Sequence, residues 1–256
     1  MHQLKSYLKF LFRSTNAHGV HSPFVYDVVT KCFYDKTQYP AYKRLKQYRN
    51  LLKKDTSVIE VTDFGQGSRV FKSNTRKVSD IARYAGMSQK RQRLLFRLTQ
   101  YFSSEKILEL GTSLGLATAA LSLGNPDANI VTVEGCPNTA RKAKELFQSF
   151  QLTNIQLNNS RFETFFSEIK EENYQLVFID GNHNKEKTLA YFETLLPNVS
   201  EDSIVIFDDI YWSRPMTEAW QQISNHPQVT VSIDTFQWGI VTFRKTQPKQ
   251  HFTIRV

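Results

Sequence analysis

The chain has 256 residues, 40% hydrophobic and 22% charged, which suffices to bury a core for one large domain or for one of about 150 residues with a sizeable attachment. Those values exclude a disordered, collagenous or membrane-spanning class, and two cysteines, Cys32 and Cys136, exclude a disulfide framework and a thiolate-held structural zinc. The net charge of +9 is uneven: residues 1–100 hold 20 Lys and Arg against 6 Asp and Glu (+14), and the rest 13 against 18 (−5).

So basic an N-terminal segment could face nucleic acid, anionic lipid or an acidic substrate, or simply solvate its helices. Its longest apolar run, within LKSYLKFLF, is interrupted by lysines and is too short for a signal sequence or a membrane span. Few cysteines and no such segment lead us to expect a reducing compartment, the cytoplasm.

From residue 1 to about 102 the pattern predicts mostly helices, at Leu4–Phe12, Phe24–Phe33 and Lys43–Lys53. A last one opens at Ser88 as N-cap and carries Leu94, Leu95, Leu98 and Phe102 on one face. From 104 onward short apolar runs alternate with helical stretches. The runs are Lys106–Leu110, Ile130–Glu134, Ile155–Asn158, Gln175–Asp180 and Ser203–Asp208; the helices lie near Leu114–Leu123, Thr139–Phe150, Glu163–Lys170 and Lys187–Leu196. Continuous apolar strands joined by crossover helices predict a parallel sheet buried on both faces. Val229–Ile233 and Phe236–Phe243 are joined by only Asp234 and Thr235, too few residues for a crossover, and so predict an antiparallel hairpin.

The expected architecture is a doubly wound, Rossmann-like α/β fold: a mostly parallel seven-stranded sheet ending in a hairpin, after a mainly helical N-terminal segment. Its parts are a basic segment, residues 1–87, and a ligand-binding domain, residues 88–256. Ligands of open sheets sit beyond the carboxyl ends of the strands.

There the first strand runs into Glu109-Leu110-Gly111-Thr112-Ser113-Leu114-Gly115, whose glycines permit a tight turn and close approach to a helix N-terminus. Glu134, 23 residues after Gly111, closes the second strand, where a carboxylate accepts both hydroxyls of a ribose. Glu109 would repel a pyrophosphate, and the GxGxxG spacing of dinucleotide binders is missing. A sulfonium amino acid brings an ammonium instead.

In order and spacing, ILELGTSLG, the acid of VTVEG, QLVFIDGNH and SIVIFDDI resemble the class I S-adenosylmethionine-dependent methyltransferases. Within them they are most similar to the metal-dependent small-molecule O-methyltransferases, the catechol O-methyltransferase group. The resemblance covers about residues 88–244. It implies that Glu109, Gly111, Thr112, Ser113 and Gly115 line the methionine part of S-adenosylmethionine, and that Glu134 holds its ribose. It further implies that Cys136 touches the adenosine region and that Ser160, Arg161 and Phe162 contact the adenine; Arg161 is equally well read as a surface arginine.

Asp180 ends one strand, and Asp208 and Asp209 end the next. Carboxylates so crowded invite a hard divalent cation with oxygen ligands, typically magnesium. In the resembled group the corresponding positions bind such a metal, although the second is often an amide where this chain has Asp209. Asp208 could instead cap the following turn. His183 stands where the group places a base, often a lysine, and imidazole can take a proton near neutral pH. Asn182 cannot, which leaves His183 or Lys185 for the proton and Asp180 to position cofactor and metal.

Asp63-Phe64-Gly65-Gln66-Gly67-Ser68 has the look of a nucleotide turn but lacks the motifs that accompany one, so it reads as a flexible loop, with Arg69 a candidate lid. His18 and His21 frame a turn. Trp212, Trp220 and Trp238 pack between helix and sheet, or Tyr211 and Trp212 wall a substrate pocket. The expected activity is methyl transfer to a hydroxyl oxygen of a small molecule with divalent-metal help. Methylation of RNA or another polyanion and a non-catalytic cofactor-binding protein are the alternatives, and Leu4, Leu8 and Phe12 could seal the first helix onto its own domain, a homodimer partner or a membrane surface.

Overall fold

The structure, a computed structural model, describes residues 2–67, 71–169 and 172–256. Arg69 of the candidate lid and Lys170, at the end of an expected helix, lie outside the described residues. In chain order the helices are α1 (His2–Arg13), α2 (Pro23–Val28), α3 (Ala41–Lys54), α4 (Val78–Asp80), α5 (Gln89–Phe102), α6 (Leu116–Gly124), α7 (Pro137–Ser149), α8 (Phe162–Glu168), α9 (Lys185–Leu195) and α10 (Arg214–Asn225). The strands are β1 (Val58–Glu60), β2 (Thr75–Lys77), β3 (Lys106–Leu110), β4 (Asn129–Val133), β5 (Ile155–Asn158), β6 (Leu176–Ile179), β7 (Ile204–Asp208), β8 (Val231–Asp234), β9 (Trp238–Thr242) and β10 (Gln250–Thr253).

Local chemistry explains many of the boundaries. Ser22, Ser88, Asn184 and Ser213 each accept a backbone N–H from the third residue of the helix they open. Proline stands in the first turn of α2, α7 and α10, where a missing N–H costs nothing. The helix expected over Phe24–Phe33 is α2 followed by a π turn, Val29–Phe33.

The chain divides into two compact units, Lys36–Glu168 and Met1–Asp35 with Ile169–Val256. In the first unit β3 pairs parallel with β4, and β4 with β5. Ile107, Leu108, Leu110, Ile130 and Val133 are fully buried, as continuous apolar strands require.

Helix α3, rich in cations, packs against α5 and α6, and its inner stripe of Tyr42, Leu45, Tyr48 and Leu52 is buried. Arg49, on the same stripe, is buried as well. It donates to the carbonyl of Met87 and, at 3.0 Å, to Oε1 of Gln92, whose Nε2 donates to the Leu116 carbonyl at 2.7 Å. Part of the basic segment is therefore built into the core of this unit instead of solvating it. The stretch expected to be a featureless loop is bracketed by an antiparallel pair, β1 and β2.

In the second unit β6 pairs parallel with β7, β7 antiparallel with β9, β9 antiparallel with β8, and β8 parallel with β10. The hairpin of β8 and β9 forms as expected. Trp238 is buried edge-on against Phe178, and Trp220 packs over Gly239 so closely that a Cβ there would lie 2.5 Å from its ring. Strand β10 and helix α10 had no counterpart in the sequence reading. Apart from the β1–β2 pair, eight strands occur among the described residues, parallel to their neighbours except at β9, against the seven expected; the class is the doubly wound, Rossmann-like α/β fold anticipated. The added strand is half-exposed at an edge and begins with Gln250 and His251, so it carries no apolar run to announce it.

Candidate active site

Within Lys36–Glu168, the expected cofactor residues other than Asp180 gather toward the carboxyl ends of β3, β4 and β5. The N–H of Gly111 donates to the Val133 carbonyl at 2.9 Å, folding the chain back at a φ of 105° that favours glycine. Ser113, also at positive φ, aims its N–H at Oε2 of Glu134 at 2.7 Å, and Cys136 N–H donates to Oε1 at 2.8 Å. The carboxylate is thus clamped by one donor from the glycine turn and one from the helix start after its own strand. Burial pushes Glu134 above the ordinary carboxylate range, with these two N–H groups pulling the other way and Asp63 adding to the rise.

Glu109 is fully buried. Thr118 and Thr132 donate their hydroxyls to its Oε2, and since Thr132 is spent as a donor there, Thr112 must donate to Thr132. The side chain of Thr112 is therefore directed into this network. Oε1 of Glu109 is buried without a hydrogen-bond partner, and desolvation raises the carboxyl to about 7.

Gly115 opens α6 at a φ of +75°. A Cβ there would sit 2.4 Å from Phe147 and 2.6 Å from the hydroxyl of Tyr48, which donates to the Leu114 carbonyl at 2.9 Å. This glycine makes room for protein atoms as well as for a turn. Gly115→Ala should lower unfolding free energy by at least about 2 kcal/mol, read from a urea titration, because left-handed backbone costs about 1–2 kcal/mol before any clash. Unchanged stability would mean that neither constraint holds.

Cys136 is buried, and its thiol is engaged away from the turn, accepting the Thr62 N–H at 3.4 Å and donating to the Glu60 carbonyl at 3.7 Å. Ser160, after β5, has a buried hydroxyl without a partner. Arg161 is exposed and lies 4.5 Å over the ring of Phe64, while Phe162 begins α8. Phe64 also covers Gly135, where a Cβ would come within 2.7 Å of the ring. Phe64 and Asn159, which donates to the Glu134 carbonyl at 2.6 Å, were not anticipated. Phe64 was discounted because its loop carries none of the partner motifs of a nucleotide turn. Its one usable signal is an aromatic after Asp63 in a Gly-rich stretch.

Within the other unit, extending the β6–β7 register by one residue sets Asp180 opposite Asp208. Asp208 is buried, and its Oδ1 accepts the N–H of Asp209 at 2.9 Å, a turn-capping role. Asp209 adopts a φ of 53°. Among the described residues no three His, Cys, Asp or Glu side chains form a group that could hold a metal ion.

His183 lies with Nε2 3.9 Å from Oδ1 of Asp180 and its ring 5.3 Å from Trp212. Asn182 and His183 both take positive φ, so this turn holds its residues in a costly conformation. Lys185 is ion-paired with Glu218 at 2.9 Å, and Asn182 donates to the Tyr191 hydroxyl. Of the candidate bases, His183 is the one seated beside Asp180. Tyr211 instead donates to Asp234 at 2.6 Å and stacks on Phe236, which ties it to the hairpin.

A methyl donor of the expected kind fits the first cluster. Glu134 offers an oriented carboxylate, Glu109 Oε1 is a buried acceptor lacking the donor an ammonium would bring, and Ser160 has an unused hydroxyl. Residues 108–210 match a family described as a methyltransferase domain. Among solved structures, the S-adenosylhomocysteine-bound methyltransferase PaMTH1 of Podospora anserina aligns with a TM-score of 0.61 at 15% identity, over 88% of this chain and 97% of that one. An O-methyltransferase from Bacillus cereus, in complex with the same product, aligns at 0.54 and 16%, over 85% and 100%. The O-methyltransferase TomG of Streptomyces achromogenes aligns at 0.57 and 14%, over 84% and 96%. At such identities the structures speak for the fold, and the family match for the domain. Residues 108–210 therefore match a methyltransferase-domain family, and the chain shares its fold with solved methyltransferases.

Proposed function

We propose that this chain transfers a methyl group from S-adenosylmethionine to a hydroxyl oxygen of a small molecule. The observation that carries the reading is the clamp on Glu134: two backbone N–H groups, from Ser113 and Cys136, hold a carboxylate at the end of β4 beside the Gly111 turn. Glu134 would bind the ribose, Glu109 the ammonium and Ser160 the adenine, with Arg161 and Phe64 at its margin. The bound cofactor supplies a methyl group on a positively charged sulfur.

What this chain adds is alignment and proton removal. Nucleophilic attack neutralises charge, so holding the acceptor in line and taking its hydroxyl proton supply most of the rate. His183 takes that proton on its imidazole, and Asp180, whose Oδ1 lies 3.9 Å from Nε2, stabilises the imidazolium. Residues 88–256 act in this reading as the cofactor-binding domain and residues 1–87 as the acceptor-side segment. A cytoplasmic location belongs to this reading, in keeping with only two cysteines in 256 residues.

Calorimetric titration with S-adenosylmethionine should show micromolar or tighter binding, and a panel of catechols and other hydroxylated aromatics should yield a methyl ether for at least one. Failure to bind the cofactor would overturn the reading. His183→Ala should leave that binding intact and lower kcat by about a hundredfold or more. Divalent-metal assistance at Asp180, Asp208 and Asp209 is decided by the same assay. Turnover lost to a chelator and restored by magnesium would place a cation there, whereas unaffected turnover would remove the metal and leave methyl transfer standing.

A further inference from the structure

Helix α1 has two dissimilar faces. One is fastened to its own unit: Phe10 is buried, Tyr7 and Phe10 pack on Phe236 with centroids 4.9 and 5.5 Å apart, His2 bonds the Thr217 hydroxyl at 3.0 Å, and Arg255 donates to the Leu11 carbonyl at 3.2 Å. The other exposes Leu4, Leu8 and Phe12, at 65%, 49% and 90% of their full accessible surface. Their spacing of four residues sets them in one ridge along the helix. Phe12 is the most exposed large apolar side chain among the described residues.

Beside this ridge run Lys5 and Lys9, both exposed and one residue after each leucine, with Arg13 at the helix end near Asp234. The helix contains no acid. We propose that α1 lies on an anionic lipid surface, with Leu4, Leu8 and Phe12 entering the acyl boundary and Lys5 and Lys9 meeting the phosphates.

Charge and composition choose this occupant. A second copy meeting the same face about a two-fold axis would bring four lysines together with no acid on either helix, in chains already at +9. A nucleic acid would satisfy the lysines but leave two leucines and a phenylalanine against phosphate and water. Only an interface with negative headgroups over hydrocarbon suits both rows, in the manner of helices that lie in the membrane plane. No helix among the described residues is long and apolar enough to cross a membrane, so attachment of this kind is peripheral.

The test uses the full chain and sedimentation with vesicles of phosphatidylcholine alone or mixed equally with phosphatidylglycerol. Binding to the mixed vesicles should be at least about tenfold tighter than to the neutral ones and should weaken with salt. The double substitution L8S/F12S should reduce it at least about tenfold, since both side chains are already exposed and leave water only on binding. Its thermal midpoint and its affinity for S-adenosylmethionine should match the parent, so the result stands apart from the methyl-transfer reading. Equal binding to both vesicle types, or binding untouched by L8S/F12S, would overturn the proposal. So would a dimer in lipid-free solution that the same substitutions dissociate, or affinity for single-stranded RNA exceeding that for mixed vesicles.

Discussion

Glu134→Ala should weaken S-adenosylmethionine binding by about a hundredfold or more. A hydrogen bond to a charged group is worth about 1.5–3 kcal/mol, and a ribose offers two hydroxyls to this carboxylate, so a loss of roughly 3 kcal/mol is the lower expectation. The substitution also removes the acceptor shared by Ser113 and Cys136, whose N–H groups then have no common anchor and let the turn between Gly111 and Gly115 drift. Calorimetry on the variant gives the affinity, and its thermal midpoint shows whether the fold survives. A folded variant that retains affinity within about threefold would mean that Glu134 holds the turn and not the ligand.

The second large effect concerns pH. Glu109 is fully buried and its carboxyl is raised from 4.5 to about 7 by desolvation, against the hydrogen bonds from Thr118 and Thr132. A raised acid holds its proton in the folded chain after the unfolded chain has lost it. Between pH 4.5 and 7 the native state therefore binds more protons than the unfolded state, and stability falls as pH rises through that window. The shift corresponds to roughly 3 kcal/mol. Glu109→Gln keeps an oxygen for the two threonines and cannot titrate. Urea unfolding at pH 5, 6, 7 and 8 should show the stability of the variant, relative to the parent, growing by roughly 3 kcal/mol toward higher pH. Parallel curves would mean that Glu109 ionises normally. If Glu109 meets the cofactor ammonium as proposed, binding should tighten as pH rises, since an ammonium favours the charged form.

The two effects separate what each acid does. Glu134 is restrained by backbone donors and is proposed to matter most for ligand binding, while Glu109 is a buried polar group whose charge is unfavourable without a cationic neighbour. Function and stability pull in opposite directions at Glu109, a pattern common where a site is prepared for a ligand.

Much of the fold was legible because its signals are local. Residues 106–110 and 155–158 form strands over the predicted spans, and Ser88 caps its helix as read, since apolar runs and hydroxyl caps act within a few residues. The chemistry at the strand ends was legible for the same reason: a strand, a glycine turn and an acid follow one another along the chain. Strand β10 and helix α10 escaped, the first for want of an apolar run and the second between a strand and a hairpin that both spoke more strongly.

By itself, then, the sequence determined the α/β class, the glycine turn and the acid at the end of β4. Only the tertiary structure decided that Glu109 is buried in a threonine network, that the Cys136 thiol faces Glu60 and Thr62, and that Arg161 lies over Phe64. It alone decided that Asp208 caps its own turn and that Phe12 stands in solvent. The reason is physical: periodicity and capping depend on neighbours along the chain, whereas burial and side-chain pairing depend on which distant segments share a face, and no local pattern records that.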